Sequence, residues 1–320
     1  MAINWVQFQR GLSFPEFLQR YGTEAKCYRA IYKARWPHGF RCPQCGGRSR
    51  ARFRREGRVY YQCRRCRHQT TLGSGTLLAH NKLPLRTWLL AMYLLTTTKT
   101  NLAALELMRH LGVNWKTAWR LKHKVLHVMA TREATRRVDG YVQIDDAYLG
   151  GERNGGKVGR GAPGKQPMVA AVETDADLEH PRYAVLEPVR AFDNVSLDDW
   201  YTRRLAPAAE VYSDGLACFA QAIDTGHAHS VLVTGGGRAA TQARGARWVN
   251  VIFANAKRAI SGRYHAFKHA KYARLYLGES QYRFNRRFDL AAMVPRLLRA
   301  TMLCAPCAEP MLCAADNFHS

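Results

Sequence analysis

Two adjacent acids, Asp145 and Asp146, stand at the end of an apolar run in "VQIDDAYLGG", in a chain that carries 49 Lys and Arg against 24 Asp and Glu. Asp214, in "EVYSDGL", closes a second such run and is also followed by a helix-starting turn. Carboxylates that converge on divalent metal are a standard means of cleaving or joining phosphodiesters. Two ions about 3.5–4 Å apart activate the attacking oxygen and stabilise the leaving one. Mg²⁺ requires hard oxygen ligands, and one or two carboxylates with phosphate and water suffice. Acids at strand ends of an α/β sheet are well placed to meet, although Asp before Gly is also an ordinary turn former. Period-2 alternation separates the neighbours. Val142 and Ile144 share a face with Asp146, and Asp145 lies with Tyr141 and Gln143. If Val142 and Ile144 point into the core, Asp145 faces a cleft and Asp146 supports the strand end.

A third polar element lies on the helical stretch from about residue 246. Asn250 and Lys257 are seven residues apart, two helical turns, and so share a face. An amide oxygen can ligate metal, and a Lys further along that face can grip phosphate as a point charge. The alternative is the solvated polar face of an amphipathic helix.

Cys42 and Cys45 in "CPQCGG" and Cys63 and Cys66 in "CRRC" have 17 residues between the pairs, inside the window for a structural zinc site. Each pair folds two thiolates to one side, so that two pairs close a tetrahedron around Zn²⁺. Gly46 and Gly47 suit the turn behind the first pair. The intervening "RSRARFRREGRVYYQ" is read as a basic loop with interleaved aromatics, suited to a phosphate backbone or simply to solvent. Cys304 and Cys307 have no second pair and read as buried thiols.

These residues need elements to position them. The apolar spacing is helical from about 83 to 130. Within it, "TNLAALELMRHLGVNWKTAWRLKHKVLHVM" reads as two helices separated by a turn at Gly112, with Asn114 as N-cap of the second. The second helix carries Lys116, Arg120, Lys122 and Lys124, and either enters a major groove or forms an ordinary helical hairpin. After "TREATRRVDG" five strand-like runs follow, with helical segments at "VSLDDWYTRRL", from Leu216 and from about 246 onward. The expected fold class is α/β or α+β. The expected divisions are a zinc-ribbon segment over 1–78, a helix-turn-helix region over 79–137, a catalytic domain over 138–300 and a tail over 301–320.

A net charge of +25 points to a polyanionic partner, most often nucleic acid. The most apolar stretch, "LPLRTWLLAMYLLTTT", carries an Arg and falls short of the roughly 18–20 residues of a membrane span. The N-terminal residues show no basic region followed by a long apolar run. The expected setting is a reducing cytoplasm, in which nine cysteines need a reason other than disulfides.

Taken in order, "CPQCGG" with "CRRC", "TWLLAMYLLTTTKTNLAALELMRHLGVNWKTAWRLKHKV", "VQIDDAYLGG", "VYSDG", "WVN" with "NAKRAISGRYHAF", and "QYRFNRRFDL" resemble bacterial insertion-sequence transposases. That family has an N-terminal zinc ribbon and an RNase H-like catalytic domain of the DDE superfamily. The resemblance covers roughly residues 15 to 300. It implies that Asp145 and Asp214 are the first and second catalytic acids, that Asn250 stands at the third position and Lys257 at the basic fourth. In this respect the chain resembles the subgroup with Asn and Lys there. Asp145, Asp214 and Asn250 would hold Mg²⁺ or Mn²⁺, with Glu279 or Glu152 as supplementary acids, while water and later a 3′-hydroxyl attack a DNA phosphate. Lys257 would steady the DNA end.

The family's partners are double-stranded DNA, as terminal repeats and target, and further copies of the chain on paired ends in the nucleoid. The ribbon and Lys116, Arg120 and Lys124 would hold the terminal repeats. Backbone phosphates would fall to the basic loop from Lys157 through Arg160 to Lys165, to Arg263, Tyr264 and His265, and to Arg286 in "YRFNRR". A structural role for these last residues stays open. The rival readings are a DNA-binding regulator with an inactive α/β part, and a metal nuclease that cuts without joining.

Overall fold

A computed structural model describes residues 5–98, 100–150, 165–232, 237–264 and 269–313. Their contacts divide into two compact units, one made of the chain up to Val128 with Phe288–Leu312, the other of Met129–Arg287 with Cys313. This departs from the expected bounds at 137 and 300. The helix over Trp115–Glu133 continues unbroken past 128, and the segment from Phe288 packs with the N-terminal part.

The first unit opens with α1 (Trp5–Phe8), α2 (Phe14–Tyr21) and α3 (Glu24–Arg35). Ser13 and Glu16 cap α2 reciprocally, and the Thr23 hydroxyl accepts the Lys26 N–H at the start of α3. The basic stretch between the cysteine pairs is not a loop. It forms the hairpin β1 (Arg50–Arg55) and β2 (Arg58–Cys63), which β3 (Gln69–Thr71) extends to three antiparallel strands. Tyr61, 2% exposed, closes the aromatic core of this module with Trp36 and Phe40. Helices α4 (Leu85–Thr97), α5 (Ala104–Leu111) and α6 (Trp115–Glu133) follow. The turn between α5 and α6 is as expected: Gly112 adopts the left-handed conformation, and the Asn114 side chain accepts the Thr117 N–H.

The second unit is a mixed sheet of β4 (Tyr141–Leu149), β5 (Gln166–Thr174), β6 (Pro181–Pro188), β7 (Glu210–Ser213) and β8 (Ala228–Val231). The spatial order is β6-β5-β4-β7-β8, antiparallel on the β5 side of β4 and parallel on the β7 side. This is the arrangement of an RNase H-like domain. The connections hold α7 (Asn194–Arg204), a short α8 (Gln221–Asp224), α9 (Gly237–Gln242), α10 (Arg247–Ser261) and α11 (His269–Phe284). On one face Val142, Ile144, Val169 and Val185 pack with Leu197, Trp200 and Tyr201 of α7 and with Phe219. The opposite face carries α10 against β4 and β5, and α11 against β6. The chain then returns to the first unit through α12 (Met293–Leu303) and α13 (Glu309–Cys313). Cys304 and Cys307 are buried, as expected.

One buried acid organises the second unit. Glu133, 2% exposed at its side chain, accepts from Arg136 Nε at 3.2 Å, Asn285 Nδ2 at 2.7 Å, Gln281 Nε2 at 3.3 Å and Arg286 Nη1 at 2.5 Å. The same amides serve the outer strand β6. Asn285 Oδ1 accepts the Ala184 N–H at 2.7 Å, its Nδ2 donates to the Ala184 carbonyl at 2.9 Å, and Gln281 Oε1 accepts the Leu186 N–H at 3.1 Å. Removing one partner of a buried ion pair leaves the other charge uncompensated, at a cost of about 3–5 kcal/mol. Glu133→Ala should therefore lower the unfolding free energy by about that amount in denaturant melts, with Glu133→Gln less damaging because it keeps an acceptor. Equal, small effects of both substitutions would show that Arg286 finds another partner.

Candidate active site

Asp145 lies on β4, two residues beyond Gln143 and on the same face of the strand. Val142 and Ile144 are in the α7-side core and the Gln143 face turns to α10, yet Asp146 as well as Asp145 brings a carboxylate oxygen to the cluster with Asp214. The Gln143 carboxamide fixes that helix. Its Oε1 accepts the Trp248 and Val249 N–H groups at 2.8 and 3.3 Å, and its Nε2 donates to the Arg244 carbonyl at 2.7 Å. Asn250 follows directly on α10. Its Nδ2 donates to the Ala246 carbonyl at 3.0 Å, which leaves the amide oxygen as the candidate ligand atom.

Strands β4 and β7 pair only from Tyr141–Gln143 to Glu210–Tyr212 and part before either acid is reached. Asp214 leaves β7 in this opening, where its Oδ1 accepts the Leu216 N–H at 3.1 Å. Gly215 turns the chain at φ +82°, and an added Cβ would stand 2.7 Å from Val231, so the position requires glycine. Ser213 Oγ lies 2.8 Å from His229 Nε2 and accepts the Gly215 N–H, which ties the turn to β8. One carboxylate oxygen from each of Asp145, Asp146 and Asp214 lies within 4.8 Å of the other two.

The electrostatics match that crowding. The Asp145 carboxyl is pushed up to about 7, first by burial and then by the charges of Asp146 and Asp214. The Asp146 N–H, 2.8 Å from Asp145 Oδ1, and the Lys257 ammonium oppose the rise. Lys257 thus acts on the same site as the acids while its side chain stays exposed to solvent. All donors in the cluster are hard oxygens, held close by backbone and under strain from mutual repulsion. Such a set suits a small divalent cation.

The four cysteines form a second centre in the first unit. Cys42 and Cys66 sulfurs lie 3.6 Å apart, as do those of Cys45 and Cys63, and all four fall within 4.8 Å of one another. Zn–S bonds of about 2.3 Å in a tetrahedron place sulfurs about 3.8 Å apart, so the cage fits zinc. Both knuckles share one hydrogen-bond pattern. Gly46 N–H bonds to the Cys42 carbonyl and Arg67 N–H to the Cys63 carbonyl, each at 3.0 Å. The Cys63 thiol is drawn down to about 7, chiefly by the Cys66 N–H.

Residues 137–285 match the ISXO2-like transposase domain family, and residues 22–69 match the transposase zinc-ribbon domain family. The acid cluster lies within the residues that match the transposase domain family. An uncharacterized protein in transposable element ISH50 of Halobacterium salinarum is 28% identical over 135 residues. That similarity covers 41% of this chain and 44% of the relative's length.

Several residues expected at the DNA surface of the transposase domain have other surroundings. Arg286 is a correction: its side chain is 9% exposed, pairs with Glu133 and lies 3.6 Å over the Tyr282 ring, so its charge is spent inside the protein. Tyr264 is half-buried on Tyr276, with ring centroids 4.4 Å apart, and burial drives its phenol far above the ordinary value. Glu279 is also corrected. It is 0% exposed and acts on Tyr264, Tyr276 and Arg283, outside the acid cluster.

Arg263 is exposed just past α10, and Lys165 is half-buried before β5. In the first unit Lys116 is exposed, Lys124 is half-buried, and Arg120 is ion-paired with Glu309 of α13. Lys122 turns inward and is 1% exposed. Glu152, Lys157, Arg160 and His265 lie outside the described residues. Gln143 and His229 were not anticipated. A polar residue on the Asp145 face of an apolar strand was the available signal for Gln143.

Two measurements test these centres. An added Cβ at Gly47 would sit 3.2 and 3.3 Å from the Cys63 and Cys45 sulfurs, so Gly47→Ala should surrender zinc at lower chelator concentration than the wild-type chain. Superimposable release curves would refute the crowding. Because Asp145 holds its proton up to about 7 against an ordinary 3.8, its contribution to stability is full below 3.8 and is lost as pH rises through 7. Mg²⁺ should therefore raise the melting temperature at pH 8, by about 2–4 °C for each kcal/mol of binding, and much less at pH 5. Asp145→Asn should melt higher than wild type in metal-free buffer at pH 8 and lose the Mg²⁺ response.

Proposed function

We propose that the chain is a transposase that cuts DNA at the ends of an insertion sequence and joins the cut strands to a target. The convergence of Asp145, Asp146 and Asp214 within the matched transposase domain carries this reading. Asp145, Asp214 and the Asn250 amide oxygen hold Mg²⁺ or Mn²⁺, with Asp146 beside them. The bound ions supply an activated oxygen nucleophile and charge neutralisation at the scissile phosphate. Lys257, whose charge reaches Asp145, places the phosphate of the DNA end. Burial of Asp145 keeps bulk water from competing for the ligands. Asn250 and Lys257 on one face of α10 support reading the chain as one of the subgroup with Asn and Lys at the third and fourth positions.

Double-stranded DNA is the substrate in this reading, and the zinc ribbon and the exposed start of α6 with Lys116 contribute to holding it. The chain works as a homo-oligomer on paired ends in the nucleoid. No described helix is long and apolar enough to cross a membrane.

An in vitro strand-transfer assay on the repeats flanking the encoding locus tests the reading. With Mg²⁺, wild type should yield joined products, and Asp214→Ala and Asn250→Ala should each lose on the order of 100-fold or more in rate. Cut but never joined ends would identify a nuclease instead, and DNA binding without cleavage a regulator.

A further inference from the structure

A groove of about 720 Å³ runs between α3 and the zinc-ribbon hairpin, away from the cysteine cage. Its construction follows from two periodicities. Tyr28, Arg29, Tyr32 and Lys33 fall at helical spacing on one side of α3. Arg50, Arg52 and Arg54 alternate onto one face of β1, and the register sets Arg52 opposite Tyr61 and Arg54 opposite Val59. The walls are cationic and the floor is aromatic.

The five cations of these walls make no ion pair and no side-chain hydrogen bond among the described residues. By contrast, Arg35 donates to the carbonyls of Thr71, Leu72 and Ser74, and Arg120 pairs with Glu309. The acid at the rim, Glu24, is occupied with the Leu85 and Arg86 N–H groups. Arg50 stands within 5.4–5.6 Å of the Tyr32, Phe40 and Tyr61 ring centroids, and its Nε is buried with no hydrogen-bond partner. The rings hold this guanidinium in the wall, where its charge adds to the positive potential of the groove.

We propose that this groove binds single-stranded DNA, such as the unpaired strand beside a cut or opened end. Arg52 and Arg54, about 6.8 Å apart along a strand, match successive phosphates. Tyr28 and Tyr32 line the groove half-buried, each with an arginine beside its ring, and the ring surface left to the groove suits unpaired bases, which a stacked duplex cannot bring to it. The choice of DNA among polyanions rests on the transposase reading, whereas the groove does not depend on the acid cluster.

The test uses the full-length, zinc-loaded chain without added Mg²⁺, and fluorescence anisotropy with a labelled single-stranded oligo-dT and a blunt duplex of equal length. Arg52→Gln with Arg54→Gln should weaken oligo-dT binding at least tenfold and flatten its log–log salt dependence by about 1.4, for two phosphates at roughly 0.7 each. Tyr32→Leu, which keeps bulk but removes the ring, should weaken oligo-dT roughly tenfold and leave the duplex unchanged. Zinc content and melting temperature certify the fold of each variant. Parallel loss of both DNAs in Tyr32→Leu would assign the groove to a duplex backbone, and unchanged oligo-dT binding in folded variants would remove the site; either overturns the proposal. Loss of strand transfer with intact oligo-dT binding would count against the acid cluster's role alone.

Discussion

Mutual repulsion among three carboxylates is the constraint around which the second unit is arranged. Oxygens of Asp145, Asp146 and Asp214 converge within 4.8 Å, and one of the acids is largely removed from water. Such a group stays together only where the backbone leaves it no escape. Asp145 and Asp146 are fixed by their pairing with Ala170 and Val169 on β5, and Asp214 by a glycine turn packed on Val231. Desolvation and like charge both disfavour ionisation here, and an added cation removes both penalties at once. The overall charge of +25 does not do this locally: Lys257 draws the Asp145 carboxyl down, but burial and the neighbouring acids outweigh it.

The sheet makes the opening for this cluster by ceasing to pair. Three residues of β4 match three of β7, after which the strands separate, and Gln143 sits at the last matched position. From there its carboxamide satisfies two N–H groups and one carbonyl at the entry to α10. One side chain thereby links the point where strand pairing ends to the helix that carries Asn250 and Lys257. Buried polar groups that are fully satisfied specify geometry in this way, since any shift leaves a donor or acceptor unmet.

The parts legible in the sequence are those governed by local chemistry. The cysteine spacing, the Gly112 and Asn114 boundary and the five strands all depend on residues a few positions apart. What could not be read depends on distant partners or on unusual patterning. The hairpin "RARFRR…RVYYQC" reads as a loop in the sequence because one of its faces is cationic and so lacks the apolar alternation of an ordinary strand. Arg286 looked like a phosphate ligand because its acceptor, Glu133, lies 153 residues earlier. The return of α12 and α13 to the N-terminal unit has no sequence marker, since an apolar helix does not declare which core it joins. The Ser13–Glu16 capping box is a local signal of the same kind as the Gly112 and Asn114 boundary, marking the start of α2.

The amide side chains along β6 carry a consequence for the chain's behaviour in concentrated solution. Open sheet edges recruit strands from other molecules, and proteins block them with charge, proline or a covering element. Here Asn285 and Gln281 stand in for the missing neighbour, bonding to the N–H and C=O groups of Ala184 and to the N–H of Leu186. Helix α11 is in effect a counterfeit strand, closing the long side of the sheet to intruders. Any strand exchange between copies is left to the opposite border at β8, which is only four residues long. The longer edge of the sheet is thus guarded against fibrous association.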